Sequence, residues 1–153
     1  MVAAPRRIPV GSLVDSRKGK VRVVSATASA GRRQSGTFSG SLFRVNQSKK
    51  RSARGLTELT TMGPSFRACS GTRAGAAGGR RTIRRLRASA RGRFRIRARN
   101  SSATVLASMW QMEDRCDGTL TKVRRGRAKV KDVRRGRSIT LKAGQSYLAR
   151  VPG

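Results

Sequence analysis

The sequence predicts an all-β fold of short antiparallel strands arranged in a roll or sandwich. Apolar and polar residues alternate in segment after segment, and Gly, Ser, Pro or Asp bound those segments. The one stretch able to form a basic helix, residues 80–91, offers only Ile83 and Leu86 as larger apolar side chains, too few for a packed helical face.

The clearest strand covers residues 92–100. There Phe94, Ile96 and Ala98 fall on one face and Arg93, Arg95, Arg97 and Arg99 on the other, the period of two expected of a half-buried strand. Similar alternation runs through 21–24, 42–47, 127–133, 137–142 and 145–151. Residues 11–23 and 118–130 resemble each other: Gly, a small hydroxyl residue, Leu, a basic stretch ending in Gly, then base, apolar, base and Val. That match predicts one element used twice, a strand, a basic turn closed by Gly and a return strand.

Residues 70–79 (SGTRAGAAGG) are of low complexity, and 80–91 add six arginines. Together they predict a flexible insertion at about 70–91, as a Gly/Arg-rich loop or a short basic helix, within a single domain spanning 1–153. A second polar loop is expected at 48–55.

Composition removes most chemistry. The chain has no His, six acids and two Cys, so the groups that usually transfer protons or bind metals are nearly missing. The acids are Asp15, Glu58, Glu113, Asp114, Asp117 and Asp132. Glu113, Asp114 and Asp117 cluster beside Asp117-Gly118, which reads as a tight turn. A nucleophile would need an activating base, and no His is present to supply one. The sequence therefore points to a protein that is not an enzyme, with no cofactor and no metal.

Against those six acids stand 37 bases, 29 of them Arg, for a net charge of +31. Such an excess attracts polyanions. The candidate polyanion-binding residues are Arg93, Arg95, Arg97 and Arg99 on one strand face, with Arg124, Arg125 and Arg127. Leu, Ile, Val and Phe make up only 29 of 153 residues, a thin stock for a core. A bridge between Cys69 and Cys116 would strengthen it by about 3–4 kcal/mol and suit an exported domain. Two unpaired thiols of a cytosolic protein are the other reading.

Several stretches are similar to the FecR-like domain of bacterial envelope and secreted proteins, in an arginine-rich form. Residues 9–23 (PVGSLVDSRKGKVRV) resemble its opening "Gly-x-x-Val-x-Thr-x-x-Gly-x-Val-x-Leu", and 34–47 (QSGTFSGSLFRVNQ) resemble a strand pair carrying "Gly-x-Phe". Residues 103–105, 120–133 and 141–145 (LKAGQ) resemble its closing elements. Leu106, Ala107 and Ser108 stand where the family reads Arg-Gly-Thr. The resemblance implies an all-β roll or sandwich without catalysis, in the envelope or extracellular space, truncated before its first strand and export signal. Its partner is then a polyanion or a protein. The competing reading, from charge alone, is a cytosolic nucleic-acid-binding protein of ribosomal or nucleoid type. That reading lacks interleaved aromatics: Phe38, Phe43, Phe66, Phe94, Trp110 and Tyr147 are expected in the core rather than stacked on bases. No run approaches the roughly 20 apolar residues of a membrane helix.

Overall fold

A computed structural model describes residues 8–29, 31–47, 50–69 and 80–151 of the chain. The fold is all-β, as the alternation predicts. Its first half holds five short strands, β1 (Leu13–Asp15), β2 (Val21–Ala26), β3 (Arg33–Ser39), β4 (Leu42–Gln47) and β5 (Thr57–Met62). Two 3-10 turns, η1 (Arg51–Ala53) and η2 (Phe66–Cys69), flank β5. Two long strands follow, β6 (Thr82–Arg97) and β7 (Ser101–Arg115). The chain closes with β8 (Gly118–Arg125), β9 (Arg127–Asp132), β10 (Arg137–Lys142) and β11 (Ser146–Arg150).

The long strands form an antiparallel hairpin that serves as the spine, and it belongs to two groups of strands at once. In its first half β6 pairs with β3, while β7 pairs with β8 beside it, giving β2-β3-β6-β7-β8-β11. In its second half β6 runs parallel to β5 and β7 pairs with β9, giving β1-β4-β5-β6-β7-β9-β10. The pairing of β5 with β6 is parallel and the other pairings are antiparallel. Inward side chains of both groups meet in one core. Phe38 of the first group lies 5.7 Å, ring centre to ring centre, from both Phe43 and Phe94 of the second. Each of these rings is fully buried, an apolar gain of about 2 kcal/mol apiece.

Residues 82–91 correct the expectation of a loop or basic helix, because they are the first ten residues of β6. The inward positions there are Leu86, Ala88 and Ala90, and the outward ones Arg85, Arg87, Ser89 and Arg91. Alternation is present, but alanine supplies two of the three inward side chains. Ala88 sits in register between Phe38 on β3 and Trp110 on β7, where a larger residue would collide with two buried rings. Residues 70–79, the Gly-rich part of the expected insertion, lie outside the described residues. So do Ser48 and Lys49 of the expected 48–55 loop, whose described part contains η1.

The spine passes from one group to the other at a bulge between Arg91 and Phe94. Gly92 has φ +117°, and a Cβ there would strike the side chain of Gln34. Gln34 repairs the interrupted ladder: its Oε1 accepts from the backbone N of Arg93 at 2.8 Å and its Nε2 donates to the Gly55 carbonyl at 2.6 Å. On β7 the same bend leaves both Leu106 and Ala107 exposed. Leu106, Ala107 and Ser108 therefore fall at this corner.

The two similar segments are each a strand, a turn and a strand, and their strands do not return on each other as hairpins. β1 pairs with β4 and β2 with β3; β8 pairs with β7 and β11, and β9 with β7 and β10. Each segment instead carries the chain from one group to the other. At the second crossing Gly126 (φ +76°) leaves no room for a Cβ against the Ala107 carbonyl, while Ser108 Oγ accepts from the backbone N of Arg127 at 3.1 Å.

Cys69 and Cys116 form a disulfide with Cα atoms 5.3 Å apart. It ties η2 to the two-residue turn between β7 and β8.

Candidate polyanion-binding face

The six carboxylates are all engaged within the chain. Asp15 meets Arg17 at 2.8 Å, and the hydrogen bonds from Arg17 lower its pKa to about 2. Glu58 lies 2.7 Å from Arg95 and 3.8 Å from Arg97, and Glu113 lies 3.1 Å from Arg85. Arg115 donates to Asp117 through Nε at 2.8 Å, a bond that raises the guanidinium pKa. Asp132 accepts from the Tyr147 hydroxyl at 2.6 Å and from the Arg135 backbone at 3.2 Å. Asp114 is 1% exposed and accepts from Thr61, from Thr119 and from the backbone N of Arg99. The turn expected from Glu113, Asp114 and Asp117 exists at residues 116–117, yet all three acids are buried around it.

With the acids used internally, most bases are left uncompensated, and the strand register decides where they gather. On the outer side of the second group one cross-strand row reads Leu13, Arg44, Thr60, Arg97, Ser102, Lys131, Ser138. The next row reads Asn46, Glu58, Arg95, Thr104, Lys129, Thr140. Arg127 and Lys142 pair in a third. Neighbouring strands lie about 4.8 Å apart and alternate residues about 6.7 Å along a strand. Cations in the first two rows are thus spaced roughly 7–10 Å from one another, with Ser and Thr hydroxyls between them, while Arg127 and Lys142 stand about 5 Å apart on adjacent strands.

Of the residues singled out from sequence, Arg95, Arg97 and Arg127 lie on this face. Arg93 stands beside the bulge, with its backbone held by Gln34. Arg99 departs from the expected strand face: β6 ends at Arg97, and the guanidinium of Arg99 lies 3.9 Å from the centre of the Phe66 ring. Arg84 lies 4.5 Å from the same ring and also donates to the Pro64 carbonyl, and burial lowers its pKa. Arg95 is only partly open, since Glu58 holds it. Arg124 and Arg125 are exposed at the end of β8, next to the corner at Gly126. Sequence reasoning did not place Arg44, Lys129, Lys131 or Lys142 in the candidate set; the signal available was their alternation with Val45, Ala128, Val130 and Leu141, which are buried.

Phe38, Phe43, Phe94 and Trp110 are core residues, as expected. Phe66 is not: it is part-exposed beneath two guanidinium groups. Tyr147 packs against the edge of the core with its hydroxyl on Asp132, and that hydrogen bond, with burial, raises its pKa. None of the six rings stands on the cationic face.

Among the described residues no group of three or more His, Cys, Asp or Glu could hold a metal ion, and no helix is long and apolar enough to cross a membrane. A shallow depression lined by Asn46, Gln47, Leu56, Glu58 and Arg95 opens at one end of the face. What the arrangement offers chemically is an array of positive charge on one sheet face with hydroxyl donors between. No protein-family model matches the chain, and no curated protein matches it in sequence.

Proposed function

We propose that this chain is a non-catalytic, exported binding module of FecR-like character that holds an acidic polysaccharide by charge on the outer face of its second strand group. One observation carries the reading: the six acids are consumed by internal partners, while Arg97, Arg127, Lys129 and Lys131 share one outer face whose two carboxylates, Glu58 and the edge residue Asp15, are already held by Arg95 and Arg17. The sheet fixes the backbone positions from which these side chains reach, and release of the polymer's counterions drives association. Interleaved hydroxyls suit a sugar chain. The Cys69–Cys116 bridge favours an oxidising compartment over the cytosol, and the absence of a ring on the face argues against stacking of nucleobases.

Two measurements test this. Protein isolated from its host under alkylating conditions keeps both cysteines unlabelled until it is reduced; immediate labelling of both would place it in a reducing compartment. In a competition assay a sulfated heparin octasaccharide displaces duplex DNA from the protein. Preference for the DNA would favour the cytosolic nucleic-acid reading.

A further inference from the structure

The outer side of the first strand group is also cationic. Ser39, Arg87, Gln111, Lys122 and Ser146 form one cross-strand row, and Arg22, Thr37, Ser89, Met109 and Arg125 form the next. Arg91 lies one row further out, and Arg22, Arg87, Arg91, Lys122 and Arg125 are all exposed. The local acid, Glu113, is 6% exposed and already spans Arg85 and Gln111.

The inward residues of both groups enter a single core, so their outer faces point away from each other. Facing sheets stand about 10 Å apart at the backbone, and the arginine and lysine side chains add several ångströms on each side. Electrostatic screening at physiological ionic strength acts over about 8 Å. An anionic chain lying on one face therefore neutralises that face and leaves the other electropositive. With a net charge of +31, one short chain cannot bring the molecule near neutrality.

We infer that the first group's outer face is a second polyanion site and that the protein bridges two acidic polysaccharide chains, one on each side of the sandwich. This rests on the polysaccharide-binding reading above and adds a cross-linking role to it. The two sites differ in make-up: the second group's face mixes Lys with Arg among Thr and Ser and has the exposed Leu13 at its edge, whereas the first group's face is mainly Arg and includes the exposed apolar Val24 and Met109. The first site is therefore the better match for sulfate or phosphate groups gripped by guanidinium forks.

The test uses the full chain, a heparin octasaccharide too short to reach both faces, and long-chain heparin. Calorimetry is expected to give two octasaccharides per protein, and long-chain heparin to give strong light scattering near charge balance. Replacing Arg22, Arg87, Arg91 and Lys122 by Ser is expected to leave one octasaccharide per protein and to abolish the scattering. Replacing Arg97, Arg127, Lys129 and Lys131 by Ser should do the same from the other side. One octasaccharide per wild-type protein, a result that needs no variant to fold, would overturn the second site. Two octasaccharides without any scattering would overturn bridging and indicate one long chain wrapped around the molecule. No binding of either probe would instead remove the polysaccharide reading itself.

Discussion

Thr61 Oγ1 donates a 2.9 Å hydrogen bond to Asp114 Oδ2 across 53 positions of sequence, joining β5 to the end of β7. The other carboxylate oxygen accepts from Thr119 at 2.8 Å and from the Arg99 backbone at 3.0 Å. A carboxylate this deeply buried is tolerable because its acceptor sites are filled. It locks together the β6–β7 turn, β8 and an otherwise distant strand. Asp114→Ala strands three donors and is expected to cost about 2–4 kcal/mol of stability in urea unfolding. A loss below about 0.5 kcal/mol would mean that the network is incidental.

The disulfide closes a loop of 47 positions and holds η2, and with it Phe66, against the end of β7. Replacing both Cys69 and Cys116 by Ser is expected to lower stability by about 3–4 kcal/mol while the sheet persists at room temperature. Circular dichroism during thermal melting checks this: an unchanged melting temperature would contradict it.

Tyr147 is the chain's one tyrosine, so its titration can be read without overlap. Its hydrogen bond to Asp132, reinforced by burial, raises its pKa above 10.0. A raised folded-state value means that the contribution is fully present below the unfolded-state pKa and is lost as pH climbs through the folded one. Asp132→Asn is expected to bring the midpoint of phenolate absorbance down towards the ordinary tyrosine value. An unmoved midpoint would mean that Asp132 does not control the phenol.

At the acid end, Asp15 and Arg17 form an exposed pair whose folded-state carboxylate titrates at about 2 against an ordinary 3.8. Here the sign is reversed: the contribution is present above the ordinary value and lost as pH falls through about 2. Arg17→Gln should return the Asp15 titration, followed by NMR, towards 3.8. No change would show that the pair does not persist in solution.

The strands that alternate strictly were legible from local pattern: 42–47 and 137–142 coincide with β4 and β10. Residues 82–91 were not, because Ala88 and Ala90 carry the inward period and alanine is a weak apolar signal. Their small size makes sense only beside Phe38 and Trp110, which other strands supply. The same limit applies to the site. Arg93 to Arg99 alternate evenly in sequence, yet the strand ends at Arg97, and Arg99 turns to a ring 33 positions earlier. Glu58 tempers Arg95 through a parallel pairing that no local pattern reveals. Lys129 and Lys131 join Arg95 and Arg97 because β7 lies between β6 and β9.

The cationic face is tested most directly by the salt dependence of heparin octasaccharide binding in protein whose other face already has Arg22, Arg87, Arg91 and Lys122 replaced by Ser, compared with and without Arg97, Arg127, Lys129 and Lys131 also changed to Ser. If the face carries the binding, the slope of log affinity against log salt becomes shallower by roughly 1 for each contact removed, and affinity falls at every salt concentration. An unchanged slope in a folded variant would contradict the account and locate the ligand elsewhere on the molecule.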